Sequence, residues 1–263
     1  MTGVLCVAAH QSAYALKLTL KRAVFEGNHR AEVLTIVNTG TEEETYRLGW
    51  RTMRMTEDDA LVAVPGDVAV PGLMPADQLV RFAPRRIVVP PGGSQQVRLM
   101  LTKPKDLAAG EYRSHLWLQP EANQTQFDKP APGAPPKIQL KMLTGMTIPV
   151  IVRHGDMSVK ATLADLRVKP RVDAPVMDVS FTIGRQGNRS LYGDLKFLCG
   201  DMLVRTIKGI AVYTEVQQRH LQFDVSPPAG QTTCPSMTVQ YFADPDDASL
   251  KGALLASAEI AVP

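Results

Sequence analysis

What this chain lacks narrows it before any motif is considered. No stretch of its 263 residues approaches the roughly 18–20 uninterrupted apolar residues that a membrane-spanning helix needs. It has no Lys/Arg block: 29 basic and 26 acidic residues are mixed along its length, leaving a formal charge of +3 and no footprint for nucleic acid. Five histidines, His10, His29, His115, His154 and His220, show no metal-ligand spacing to one another or to Cys199 and Cys234. There is no nucleophile elbow, phosphate-binding loop or dinucleotide fingerprint. These absences point away from an enzyme, a metal, a cofactor or a small-molecule substrate. A convincing helical stripe is also missing.

What is present is a globular balance, 44% hydrophobic and 21% charged, long enough for two domains that each bury a core. Residues 1–15 stand apart. Val4 to Ala9 is a short apolar stretch, and Ala13-Tyr14-Ala15 fits the small-x-small pattern of a signal-peptidase site. No Lys or Arg precedes Lys17, so the basic start of such a leader is missing, which points to a start codon upstream. Cys6 lies in this segment and would be removed with it. A frayed N-terminal strand is the alternative.

Beyond that, apolar and polar residues alternate with period two over residues 16–20, 31–37, 45–55, 97–101, 115–118 and 138–152. Turn signals separate them, among them Glu26-Gly27-Asn28, Asn38-Thr39-Gly40, Pro90-Pro91-Gly92-Gly93 and Ala109-Gly110. A second series follows Arg153-His154-Gly155-Asp156, at residues 176–182, 191–198, 207–213, 220–225, 237–242 and 254–262. Many short strands without helical crossovers indicate β-sandwiches. The fold expected is all-β: an N-terminal sandwich over residues 16–153 and a C-terminal one over 154–263.

Two segments carry features that a plain sandwich does not need. In residues 138–152 the even positions Ile138, Leu140, Met142, Thr144, Met146, Ile148, Val150 and Val152 form a nearly continuous apolar set on one strand face. A Pro-rich loop, residues 129–136, precedes it, and the strand exceeds the usual length of about 5–6 residues. It is either a central strand with a long neck or a strand offered to a partner by β-augmentation. Near the start, Leu16, Leu18, Leu20, Arg22 and Val24 share one face in regular alternation, so Arg22 ends an apolar stripe. An unpaired charge there would be costly, so Arg22 has an anionic partner or a solvated cleft, or else a bulge turns it outward.

Taken in order, several motifs resemble the PapD-like periplasmic pilus-assembly chaperones. Leu20-Lys21-Arg22-Ala23-Val24-Phe25-Glu26-Gly27 resembles that family's first strand. Phe82-Ala83-Pro84-Arg85-Arg86 with Pro90-Pro91-Gly92 resembles its strand–PG–strand signature. Leu107 to Ser114 resembles the start of its sixth strand, and Ile148-Pro149-Val150-Ile151-Val152-Arg153 the end of its seventh. The resemblance implies two immunoglobulin-like β-sandwich domains in tandem, set at an angle with a cleft between them. It implies a periplasmic chaperone of pilus or fimbrial subunits that lends them a strand and hands them to an outer-membrane usher, with no catalysis and no cofactor. By position, Arg22 would anchor the subunit's terminal carboxylate, and Ile138, Leu140, Met142 and Thr144 would be the donor residues. The family's second anchor, a lysine, falls on Pro149, so Arg113 or Arg153 would have to supply the missing cation. A tandem adhesive module at the cell surface, binding by its loops, is the competing reading.

In an exported chain the pair Cys199 and Cys234 suggests a disulfide, with two buried free thiols as the alternative. In an immunoglobulin-type sandwich the strand that Cys199 closes, counted as the third, and the one that Cys234 precedes, counted as the sixth, would be antiparallel neighbours, with the end of one beside the start of the other.

Overall fold

The computed structural model describes residues 16–58, 60–65, 68–121, 145–171 and 174–262. Among them are seventeen β-strands and no α-helix, as the period-two pattern predicts. The expected leader, residues 1–15, lies outside the described residues. The chain forms two compact units: residues 1–51, 76–104 and 114–151, and residues 52–75, 105–113 and 152–263. One passage from the first unit to the second falls at 151/152. Two stretches expected in the N-terminal sandwich, 52–75 and 105–113, group with the second unit.

In the first unit, one sheet runs β1 (Leu16–Leu18), β3 (Ala31–Asn38), β8 (Ser94–Leu101), β6 (Val80–Ala83). Along β8, Val97, Leu99 and Leu101 are buried while Gln96, Arg98 and Met100 face out. A second sheet is ordered β2 (Ala23–Phe25), β10 (Met146–His154), β9 (Gly110–Glu121), β4 (Glu44–Met55), with β7 (Arg86–Val89) also paired to β4. Phe25, Leu34, Ile36, Leu99, Leu116, Leu118 and Val150 are completely or almost completely buried between the sheets. Each contributes about 1.5–3 kcal/mol of burial energy. Trp50 and Phe82 meet edge to face, with centroids 5.2 Å apart. Asn38, also buried, bonds the carbonyls of Glu42 and Val89 at 2.6 and 3.0 Å, so the turn after β3 is closed from inside.

The second unit pairs a three-stranded sheet, β11 (Val159–Pro170), β12 (Met177–Gly187), β15 (Gln218–Val225), with a four-stranded one. The latter is ordered β14 (Met202–Val212), β13 (Leu191–Cys199), β16 (Ser236–Ala243), β17 (Leu254–Ala261). Burial alternates strictly along β13 and β16, the mark of strands with one face on a core. Phe181, Phe197 and Phe223 bridge the sheets with centroids 5.7–6.2 Å apart. Here the unit also takes in β5 (Leu61–Val64), which pairs the far end of β4. The sequence series began at residue 176, whereas the structure starts this unit's sandwich with β11. A bulge between Ala164 and Arg167 switches the parity of its apolar residues midway, which hides the alternation.

Cys199 and Cys234 form a disulfide, with α-carbons 5.2 Å apart. β13 and β16, third and sixth of the strands β11 to β17, are antiparallel neighbours, and Cys199 stands opposite Met237, three residues after Cys234. Closing a loop of 35 residues, the link is worth about 3–4 kcal/mol in the chain-entropy model.

Candidate functional site

Two places in the described structure carry the residues that the sequence singles out. The first is an edge of β10. Ile148 and Val150 are buried while Thr147 and Pro149 are half-buried, so even-numbered residues face the core. Ile138, Leu140, Met142 and Thr144 have the same parity but lie outside the described residues.

β10 lies between β9 and β2 in the sheet order. β2 has three residues and β10 nine, so among the described residues most of that edge of β10 has no β2 partner. The reason lies one segment earlier in the chain. β1 pairs β3 in the other sheet, from Leu16↔Asn38 to Leu18↔Ile36, and Thr19 continues the contact through its amide to the Thr35 carbonyl at 3.0 Å. The chain then crosses between sheets over residues 19–22 and joins β10 only at Ala23. A proline inside a strand paired along both edges would forfeit a ladder bond. With so short a β2, β10 has edge to spare at which Pro149 need not donate.

This crossing changes the expected first-strand face. Leu16, Leu18, Leu20 and Arg22 are the less exposed residues up to the crossing, but Ala23 and Phe25 are buried after it. Val24 therefore does not share the face of Arg22, because the chain exchanges one sheet for the other between them. Arg22 itself is half-buried at the switch.

The second place is a charge cluster inside the second unit, which holds Arg113 and Arg153. Arg113 donates to both carboxylate oxygens of Glu215, at 2.9 and 2.6 Å, and to the Met53 carbonyl at 2.8 Å. Its guanidinium lies 3.7 Å from the centre of the Tyr213 ring. Glu215 also accepts the Met55 amide at 2.8 Å, and both side chains of the ion pair are 2% exposed. Arg153 donates to Glu111 at 3.0 Å, and the same oxygen accepts the Ser190 amide at 3.1 Å. Asp247 receives Arg189 and lies 3.6 Å from Arg153. Arg185 has no carboxylate of its own in this set: its bonds run to the carbonyls of Thr214, Val216, Gly187 and Arg189. Gly187 has φ +116°, and a Cβ there would come within 2.2 Å of the Ser158 carbonyl, so the turn beside Arg185 needs glycine.

Burial sets the proton affinities. It pushes the Tyr213 hydroxyl up to about 12, against the opposing charge of Arg113. It would also raise Asp247, but Arg189, the Leu250 amide, Ser249 and Arg153 overcome it and hold that carboxyl at about 2. A carboxyl depressed on folding adds stability above its unfolded pKa and loses it as pH falls through the folded value. Wild-type protein should therefore lose on the order of 2 kcal/mol between about pH 4 and pH 2 through this group. Asp247→Asn should melt lower at neutral pH and show a shallower acid limb in thermal melts across that range. An unchanged acid limb would remove Asp247 from the account.

Arg113 and Arg153 are thus built into buried ion pairs, and Arg22 belongs to the other unit. Sequence reasoning did not single out Glu111, Glu215 and Asp247, the anions of the cluster. Asp247 had a local signal, since its carboxylate accepts the Ser249 and Leu250 amides in a turn that Asp-x-Ser favours. Glu215 had none, because its partners Met55 and Arg113 are distant in sequence.

No protein-family model matches the sequence, and no curated protein matches it. Among solved structures, the chain is similar to the chaperone DraB of E. coli, at 14% identity and a TM-score of 0.45, over 94% of this chain and 96% of that one. It is similar to a complex of the Salmonella enterica SafA pilin with the SafB chaperone, at 10% identity and a TM-score of 0.44, over 96% and 98% of the two chains. It is similar to the CupB2 chaperone of Pseudomonas aeruginosa, at 11% identity and a TM-score of 0.44, over 94% and 100%. Each of these three solved structures contains a chaperone, in one case in complex with a pilin.

Proposed function

We propose that this chain is a periplasmic chaperone of pilus or fimbrial subunits, which it stabilises by lending a strand before passing them to an outer-membrane usher. The observation that carries this reading is the edge of nine-residue β10, of which, among the described residues, three-residue β2 pairs only part. Its core-facing parity continues into Ile138, Leu140 and Met142, with Thr144 a weaker member. A strand with an open edge and an apolar face in register gives a partner both backbone bonds and side chains for an incomplete core. The work is binding, so no catalytic group is called for. The chain expressed with an affinity tag in its own bacterium and recovered from the periplasm should bring down a small secreted chain whose sandwich lacks one strand. Recovery from the cytoplasm, or a purified chain that binds cell-surface material and no secreted subunit, would favour the adhesive reading instead.

Arg22 is the carboxylate anchor in this proposal. Its guanidinium is suited to bidentate capture, and it stands where the chain leaves one sheet for the other. Arg113 and Arg153 are assigned to structure, because each already donates to a buried carboxylate. Arg22→Ala should weaken subunit binding by about 2–3 kcal/mol, roughly 30- to 150-fold, with the melting temperature little changed. Titration calorimetry beside a thermal melt separates the two; a loss of stability without selective loss of binding makes Arg22 a structural residue.

A further inference from the structure

On the outward face of the second unit's three-stranded sheet is a groove of about 430 Å3, lined in part by Asp165, Arg167, Ser180, Thr182, His220 and Gln222. Register explains why these side chains meet. Thr182 pairs with His220 and Ser180 with Gln222, so all four share the face opposite buried Phe181 and Leu221. On β11, Ala164 pairs with Thr182 but Arg167 with Ser180, three steps along one strand for two along the other. The extra residue is taken up at Asp165, whose φ of +54° lies in the left-handed region. Without that bulge Arg167 would point to the core; with it, Asp165 and Arg167 are both exposed on the rim of the groove.

Asp165 and Arg167 thus stand two residues apart at the same groove. Here neither Asp165 nor Arg167 makes an ion pair or side-chain hydrogen bond with any described residue. Behind them the floor is already ordered, with Thr182 Oγ1 and His220 Nδ1 2.9 Å apart. A backbone irregularity that puts an acid and a base on the rim of one groove suits a ligand carrying both charges. We propose that this groove binds a small zwitterion of the α-amino-acid type. Asp165 takes the ammonium, Arg167 takes the carboxylate, and the hydroxyl, amide and imidazole groups of Ser180, Gln222 and His220 face the remainder. The ligand is bound, not transformed, and the site is independent of the β10 edge.

The test is NMR of the full chain, following the His220 ring and the Arg167 side chain during titration with L-alanine. Saturable shifts are expected with L-alanine, and none with N-acetyl-L-alanine amide, which has the same side chain and neither charge. Asp165→Asn and Arg167→Gln should each weaken the L-alanine response at least about tenfold, since each removes one charge-assisted partner. The ligand comparison uses the unaltered protein, so it decides even if a variant folds poorly. No shift with L-alanine, an equal response to the blocked compound, or a response reproduced by acetate alone overturns the proposal.

Discussion

On the proposed strand donation, replacing Leu140 and Met142 together by aspartate should abolish capture of a pilus subunit while leaving the chain's own melt unchanged. The two effects separate because the strand has two jobs. Ile148 and Val150 supply its buried contacts within the first unit, and Leu140 and Met142 precede them by six residues or more with the same even numbering. A side chain seated in the partner's groove contributes about 1.5–3 kcal/mol, so losing two costs about 3–6 kcal/mol, a factor of roughly 10² to 10⁴ in affinity. Burying two carboxylates in an apolar groove adds to the loss. The measurement is the dissociation constant for the captured subunit, with a thermal melt of the free chaperone as control. Full retention of binding would defeat the donor-strand assignment, whereas a collapsed melt would place both residues in the chaperone's own core.

Much of this architecture was legible because it depends on neighbours in sequence. Period-two runs mark β13 and β16 almost to the residue, since each has one face on a core, and counting strands from the fold placed Cys199 beside Cys234. Reading failed where the backbone changes phase. β11 is hidden because its bulge shifts the apolar parity after Ala164, and simple alternation puts Val24 on the face of Arg22 because nothing local announces that the chain changes sheets between them. The charge cluster failed for a different reason. Arg113 and Arg153 looked like available cations, but their carboxylates stand 102 and 42 residues away along the chain, and no pattern in one sequence reports such a pairing.

The cluster also makes the largest stability prediction. Glu215→Ala should destabilise the protein by about 3–5 kcal/mol, because it leaves the Arg113 guanidinium buried without its carboxylate. The desolvation already suffered by Arg113 is compensated in the native protein by two bonds from one carboxylate, by the Met53 carbonyl and by the Tyr213 ring. Removing Glu215 takes the first of these and also strips the Met55 amide of its acceptor. The double variant Arg113→Met, Glu215→Leu should recover most of that loss, since apolar groups of similar volume avoid the unpaired charge. Recovery stops short of complete, because the Met53 carbonyl and Met55 amide stay unsatisfied. Chemical denaturation of the three proteins reads the difference directly. If Glu215→Ala unfolds within about 1 kcal/mol of wild type, the pair behaves like a solvated surface bridge, and its burial contributes nothing. The contrast with Arg22→Ala then assigns the arginines: removal of one should cost binding without stability, and removal of the other's partner should cost stability first.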